Sequence, residues 1–272
     1  FLALLALVSL GTPAWAQVKS EWKAEHLGFF LEREGGRDQV GAALVLYRQL
    51  PKVQRYLAYL PEGPVLADWG ADYVLEALDA LAQHVKRQGA FGLRIGPTVV
   101  ARRWRTETIK TAIADPAITR LSEAPADETN PVAVRLVNTL LRAGWKAPKD
   151  EHGFSAGQPR FNFQLPLAHA DGTPKTEEEL LKGFNQLWRR NIKKAAKLGV
   201  EVTHGERADL AAFHELYGET AERDGFTPRP LPYFEVKWDA LTAEDPDRMR
   251  LYLARHEGDL VAATTWVRVG EH

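Results

Sequence analysis

The sequence predicts a mixed α/β protein built from two domains of similar design. In each half, strand-like alternation is followed by a helical apolar pattern and then by a further strand-like run. The chain has 272 residues, which corresponds to about two average domains. Residues 146–159, with two Pro and two Gly, separate the two patterns. We therefore expect domains at residues 1–155 and 156–272, the second truncated at its C-terminal end.

Composition excludes several classes of protein. Hydrophobic residues make up 45% of the chain and charged residues 26%, which is the balance of a folded globular protein. There is no Cys, so disulfides, thiolate metal sites and cysteine nucleophiles are all excluded. Thirty-five Lys and Arg against 36 Asp and Glu give a net charge of −1. Binding of a polyanion would therefore require a local basic cluster.

The pattern in the first half of the sequence predicts meandering antiparallel strands, followed by a helix and a further strand. Gly35-Gly36 and Gln49-Leu50-Pro51 supply turns between the strands. The clearest helix ends at Gly89, because a glycine commonly follows the last helical residue. The predicted strands lie at residues 29–31, 40–47, 55–60 and 91–95, and the predicted helices at 72–88, 109–114 and 131–143.

The second half repeats this order. Thr176 followed by Glu179 forms a capping box, which predicts the start of a long helix. Residues 257–259 (Glu-Gly-Asp) predict the turn of a hairpin. The predicted strands lie at residues 161–167 and 200–202, the hairpin at 248–269, and the helices at 176–198, 209–224 and 232–241.

The N-terminal residues admit two interpretations. Residues 1–16 combine an apolar run with small residues at its end, as a secretory signal does, and the protein would then be a secreted binding protein. Thr12 before Pro13, with Trp15 and Val18 three residues apart, instead favours a helix of the folded protein. The apolar run is also shorter than the roughly 20 residues that cross a bilayer.

A basic run at residues 189–197 is the sharpest charge signal. Five of its nine residues are Lys or Arg and none is acidic. On a helix, Arg189, Lys193 and Lys197 share one face, and Arg190 and Lys194 flank it. Such a face is either solvated or neutralised by a phosphate-bearing ligand.

A polar and aromatic loop follows between two predicted helices, at residues 223–230. An Arg on this loop and the nearby Tyr233 could grip a phosphate or a carboxylate. The alternative is a buried structural turn in which Arg223 pairs with Asp224 or Glu222. The sequence contains no Ser-His-Asp order, no metal-ligand spacing, no P-loop and no dinucleotide fingerprint, so neither a metal nor a cofactor is expected.

Taken together, several segments resemble the FemABX family of non-ribosomal peptidyltransferases, which build the interpeptide bridges of peptidoglycan. The resemblance covers nearly the whole chain in the family's order. It is carried by PAWAQVK at 13–19, YLPEGPV at 59–65, LRIGP at 93–97, RRNIKKAAKLGVEV at 189–202 and AERDGF at 221–226 with the loop that follows to residue 234.

The resemblance implies two tandem GNAT-like acyltransferase domains in a cytoplasmic enzyme. Its donor would be aminoacyl-tRNA carrying Gly, Ala or Ser, and its acceptor the stem-peptide amine of a muramyl-pentapeptide precursor, either lipid II or UDP-MurNAc-pentapeptide. A lipid-linked acceptor implies peripheral contact with the cytosolic membrane face, and no DNA is expected as a partner. An acyl-CoA-dependent GNAT enzyme is the alternative, but its Arg/Gln-x-x-Gly-x-Gly/Ala pyrophosphate loop is absent from the sequence.

Site residues follow from the resemblance by position. The substrate-binding candidates, expected to contact the phosphates and sugar of the precursor, are Lys19, Arg189, Arg190, Lys193 and Tyr233. Some members have an Asp as proposed base where this chain has Gly96, so no catalytic residue is assigned. The family's Phe-Lys element, implicated in handling the tRNA acceptor end, would lie beyond His272.

Overall fold

The structure, a computed structural model, describes residues 13–19, 21–147 and 161–268. The described residues divide into two units, one that runs to residue 147 and one that begins at residue 161. Each unit combines helices with a sheet, so the mixed α/β class is confirmed. The predicted boundary at residue 155 lies outside the described residues, and the GNAT-like character of the two domains stays a prediction.

The first unit is organised around one main sheet. Its elements are α1 (Pro13–Val18), β1 (Lys23–Arg33), β2 (Gly36–Gln49), β3 (Tyr56–Leu60), β4 (Val65–Leu66), α2 (Tyr73–Arg87), β5 (Ala90–Ile95), β6 (Arg102–Arg103), α3 (Thr106–Ala114), β7 (Glu128–Thr129) and α4 (Pro131–Arg142). β1, β2 and β3 are antiparallel neighbours, β5 joins β3 in parallel, and β4 pairs with β2. β6 and β7 form a separate pair. The antiparallel meander is confirmed, and β1 and β2 are longer than predicted.

The core of this unit lies where the sheet meets α2. β2 is buried through its centre, where Val45 and Tyr47 are nearly inaccessible to solvent. α2 buries one face, since its apolar residues recur at helical spacing. The helix ends at Arg87 with Gln88 as its C-cap, and Gly89 follows with a φ of 88°, a conformation that glycine adopts without steric cost. The buried α2 residues are Val74, Leu78, Leu81 and Val85.

A polar cluster that was not predicted joins α2 to the sheet. The Tyr47 hydroxyl donates a hydrogen bond of 2.6 Å to Glu25 Oε2, and His84 Nε2 lies 3.0 Å from Glu25 Oε1. Burial raises the pKa of Glu25, but the hydrogen bonds with Tyr47 and His84 lower it by more than burial raises it. The pKa of Glu25 is therefore below its ordinary value. Burial and the bond to Glu25 together raise the pKa of Tyr47.

This cluster predicts a pH-dependent contribution to stability. The folded-state pKa of Glu25 lies below 4.5, so its contribution is present above that pH and is lost as the pH falls through the folded-state value. Replacing Tyr47 with Phe removes one of the lowering bonds. We expect Tyr47→Phe to reduce the unfolding free energy by about 1–2 kcal/mol near neutral pH and to flatten its dependence on pH below 4.5.

Urea denaturation of both proteins at a series of pH values measures this effect. Tyr56→Phe is the matched control, because the Tyr56 ring meets Tyr47 edge-on but its hydroxyl has no hydrogen-bond partner in the described part of the chain. Parallel pH profiles for the wild type and Tyr47→Phe would contradict the assigned bond.

The second unit contains a three-stranded sheet. Two helices precede its first strand in the chain, and two more lie between its first and second strands. Its elements are α5 (Glu177–Gly183), α6 (Gln186–Lys197), β8 (Glu201–Gly205), α7 (Leu210–Asp224), α8 (Leu231–Thr242), β9 (Met249–His256) and β10 (Asp259–Val267). The sheet order is β10–β9–β8, with both pairs antiparallel. The predicted hairpin is confirmed, with Glu257 and Gly258 at positive φ in its turn. The hydrophobic core of the second unit comprises Leu210, Phe213, Phe234, Leu251 and Leu253.

Two predictions in this unit are wrong. The helix predicted at residues 176–198 is two helices, because α5 ends at Gly183 and Asn185 caps a new helix by accepting a hydrogen bond from the Trp188 N–H. The strand predicted at 161–167 does not form. Alternating apolar and polar residues give a segment one apolar side, but a strand also needs hydrogen bonds to a neighbouring strand. Among the described residues, no strand lies beside this segment.

Candidate functional site

The basic run forms one face of α6, as predicted. No Asp or Glu occurs between Gln186 and Lys197, so no intrahelical ion pair offsets the cations. We call the set Arg189, Arg190, Lys193, Lys194 and Lys197 the basic face. All of its members except Arg189 are exposed, and within the described ranges none of them forms an ion pair. The face is therefore available to a ligand anion.

Arg189 also binds backbone carbonyl groups, a structural role that the sequence did not reveal. Its Nη1 donates hydrogen bonds to the carbonyl oxygens of Lys182 at 2.9 Å and Phe184 at 2.5 Å. These carbonyls lie at the C-terminal end of α5, where a helix leaves acceptors without intrahelical donors. Arg189 thus fixes the bend between α5 and α6, and the neighbouring cations are more available to a ligand.

The two arginines at the start of the run should therefore behave differently. Arg189→Met keeps the apolar part of the side chain but leaves two carbonyls without their donor, so we expect a loss of about 1–2 kcal/mol in unfolding free energy. Arg190→Met, on the next residue, is the matched control and should leave stability unchanged, because Arg190 is exposed. Thermal and urea denaturation of both variants measure the difference. Equal stabilities would show that the bend does not depend on Arg189.

Tyr233 lies at the start of α8 beside the polar loop. The Arg229 guanidinium lies over the Tyr233 ring, 5.5 Å from its centroid. The Tyr233 backbone N–H donates to the Pro230 carbonyl at 3.0 Å. The loop is held by α7, since His214 Nε2 lies 2.9 Å from the Arg229 carbonyl and the Tyr217 hydroxyl accepts from the Arg229 N–H at 3.5 Å. Arg229 and Tyr233 thus form a fixed cationic and aromatic pair.

Arg223 is not the arginine of this pair. Its Nε and Nη2 bond the two carboxylate oxygens of Asp224 at 2.8 and 3.1 Å, which is the structural alternative considered from the sequence. His214 and Tyr217 were missed, although their spacing of three places them on one side of a helix. Lys237, one turn after Tyr233, was also missed, and burial lowers its pKa.

Lys19 belongs to the first unit, at the C-terminal end of α1. Its backbone N–H donates to the Trp15 carbonyl at 3.2 Å, and its Nζ lies 5.8 Å from the centroid of the Trp15 ring. Its carbonyl accepts from the Trp22 N–H at 2.8 Å, which holds the turn between α1 and β1. The other four predicted site residues lie in the second unit, three of them on the same helix.

A charged concavity in the second unit is a weaker candidate for an anion site. It is lined by two acids and two arginines, and each arginine is already paired: Arg248 with Glu244, and Arg268 with Asp245. Across residues 13–19, 21–147 and 161–268, no three His, Asp or Glu side chains cluster as a metal site requires. None of the helices described has both the length and the apolar composition to span a bilayer.

Comparison with known proteins identifies the family. A sequence profile of the FemAB family matches residues 9–255. The lipid II:glycine glycyltransferase of Staphylococcus epidermidis is 30% identical over 220 residues, covering 80% of this chain and 44% of that protein. The Staphylococcus aureus protein of the same name is 28% identical over 238 residues, covering 86% and 47%. The crystal structure of FemX matches with a TM-score of 0.61 and 25% identity, over 90% of this chain and 52% of that one.

The described units have a mixed α/β fold, like the matched structure of FemX. The chain belongs to the FemAB family. It spans about half the length of the relatives it matches.

Proposed function

We propose that this protein is an aminoacyltransferase that adds an amino acid to the stem peptide of a peptidoglycan precursor. The donor is aminoacyl-tRNA carrying Gly, Ala or Ser, and the similarity to two glycine glycyltransferases favours Gly. The acceptor is lipid II or its soluble counterpart, UDP-MurNAc-pentapeptide. In this proposal both units are GNAT-like domains and the reaction takes place on the cytosolic side of the membrane.

The observation that carries the proposal is the basic face of α6. Both forms of the acceptor contain a diphosphate, and a diphosphate requires several cations that are not already paired with acids. Arg190 and Lys193 meet that requirement, because they are exposed and neighbouring on one helix face. Arg189 contributes charge while its Nη1 holds the bend.

Two further contacts are proposed from family membership and local geometry. Tyr233, with Arg229 over its ring, offers an aromatic surface to a sugar and a cation to an adjacent phosphate. Lys19, fixed by the turn that follows α1, is proposed as an additional phosphate contact.

The proposed reaction is aminolysis of an ester. The stem-peptide amine attacks the carbonyl carbon of the aminoacyl ester, a C–N bond forms, and the C–O bond to the tRNA ribose breaks. The amine proton leaves and the ribose oxygen takes up a proton, so an amide and free tRNA result. The ester is already activated, so holding the two groups in contact supplies much of the acceleration, up to about 7–11 kcal/mol in well-oriented systems. The cations position the acceptor and take no part in bond making.

A transfer assay tests this proposal. The protein is incubated with glycyl-, alanyl- or seryl-tRNA and with either lipid II or UDP-MurNAc-pentapeptide, and the acceptor is analysed by mass spectrometry. The expected product is heavier by one residue of the supplied amino acid. Acetyl-CoA is the comparison donor. Acetylation of the acceptor without transfer from any charged tRNA would contradict the proposal and favour the acyl-CoA-dependent alternative.

A further inference from the structure

The side of α6 opposite its basic face is apolar and exposed. We call Leu187, Trp188, Ile192 and Leu198 the apolar face. At 100° per residue its members span an arc of about 140° on the side of the helix away from most of the cations, and Leu187 and Leu198 border Lys194 at one edge of that arc. Their exposed fractions are 52%, 58%, 44% and 56%, and neither α5 nor α6 has a single buried residue. α6 is therefore a strongly amphipathic helix whose apolar side is not used by the fold described here.

An apolar side of this kind normally faces a core or a partner. Four large apolar side chains in one patch are unfavourable in water, and such patches mark interaction surfaces. The only aromatic contact of this face in the described residues is between Trp188 and Phe184, whose ring centroids are 5.6 Å apart. The contact orients the Trp ring but leaves more than half of it exposed.

The charges beside the apolar face indicate the chemistry of the partner. Lys and Arg along one side of a helix, with Trp, Ile and Leu on the other, are typical of helices that lie in a membrane interface. Anionic headgroups attract the cations, and the amphipathic Trp ring favours the interfacial region. A second copy of α6 fits less well, because two sets of five cations without acids would repel each other.

We propose that α6 docks the protein on an anionic lipid surface, with the apolar face at the boundary with the acyl chains and the basic face among the headgroups. A helix of 12 residues is about 18 Å long, too short to cross the hydrocarbon core of about 30 Å, so it lies in the plane of the surface. The second part of the inference rests on the proposed function: the diphosphate of a lipid-linked acceptor lies at the same depth, so docking brings Arg190 and Lys193 level with it.

Vesicle sedimentation tests the docking without any precursor. The protein is mixed with vesicles of phosphatidylcholine alone or of phosphatidylcholine and phosphatidylglycerol in equal parts. We expect binding to the anionic vesicles and a blue shift of Trp fluorescence. Ile192→Ser/Leu198→Ser should weaken partitioning by about tenfold. Lys194→Gln/Lys197→Gln should weaken it by about 25-fold, because each cation near an anionic surface contributes roughly the equivalent of a fivefold change.

Matched double variants in the first unit serve as controls. Val53→Ser/Ile113→Ser replaces two exposed apolar residues, 48% and 79% accessible, and Lys110→Gln/Lys146→Gln removes two exposed cations. Neither should change partitioning. Equal binding by the α6 variants and these controls would overturn the proposal. So would concentration-dependent dimerisation that Ile192→Ser/Leu198→Ser abolishes in the absence of lipid, since it would assign the apolar face to a second copy.

The docking and the proposed function fail in different assays. Ile192→Ser/Leu198→Ser should bind and use UDP-MurNAc-pentapeptide as the wild type does, because the soluble acceptor needs no membrane, while it loses activity on vesicle-borne lipid II. Unchanged activity on both acceptors would contradict docking and leave the transferase proposal intact. Absence of transfer to either acceptor by the wild type, with vesicle binding as expected, would contradict the transferase proposal alone.

Discussion

Arg190→Glu/Lys193→Glu is expected to bind UDP-MurNAc-pentapeptide on the order of a hundredfold more weakly than the wild type. Both side chains are exposed on the basic face of α6, so their replacement should not disturb packing. Each substitution removes an attraction to the diphosphate and adds a repulsion. Isothermal titration calorimetry at low salt measures the affinity, because salt screens interactions between exposed charges.

The control for this variant is Lys110→Glu/Lys146→Glu. It replaces two exposed lysines of the first unit and makes the same change in total charge, so it separates the local site from long-range repulsion. Its affinity should stay within about threefold of the wild type. If both charge-reversed proteins lose affinity equally, then the loss reports net charge and the basic face has no specific part in binding.

Gly41→Ala is expected to lower the unfolding free energy of the first unit by roughly 2–3 kcal/mol. A Cβ at position 41 would lie 2.5 Å from the Val65 carbonyl oxygen and 2.6 Å from Leu66 Cδ2. Gly41 is paired with Leu66 between β2 and β4, and the Ala67 N–H donates to the Val40 carbonyl at 2.8 Å. The backbone at 65–67 is therefore held against β2 and cannot withdraw without losing its hydrogen bonds.

Gly36→Ala, in the same strand, is the matched control. A Cβ at Gly36 would meet nothing within 4 Å, so this variant should have wild-type stability or a slight gain from reduced freedom of the unfolded chain. Urea denaturation followed by Trp fluorescence compares the two. Equal stabilities for both Ala variants would show that β4 is not held closely against β2.

Local patterns account for the parts of the fold that the sequence predicted well. α2 was predicted from its apolar spacing and from Gly89, and both signals lie within the helix or next to it. The split of the helix predicted at 176–198 has a local signal as well, in the Asn185 cap. The continuous helical periodicity on both sides of it concealed that signal.

Contacts between distant residues account for what could not be predicted. Glu25 is 22 residues from Tyr47 and 59 from His84, so no motif joins them. The segment 161–167 alternates as a strand does, but strand formation depends on a neighbour elsewhere in the chain. Within the candidate site, the charge of Arg189 was evident from the sequence. The use of its guanidinium by two backbone carbonyls depends on the bend between α5 and α6.

The most direct test of the central claim compares two ligands on the wild-type protein. One is UDP-MurNAc-pentapeptide, and the other is MurNAc-pentapeptide without the diphosphate and the nucleoside, both titrated calorimetrically at low salt, with UMP as the control for the nucleoside. If the cations of α6 recognise the diphosphate, then the ligand that lacks it should bind at least about tenfold more weakly, and UMP alone should bind weakly too. Equal affinity for the two muramyl ligands would contradict the assignment of the basic face.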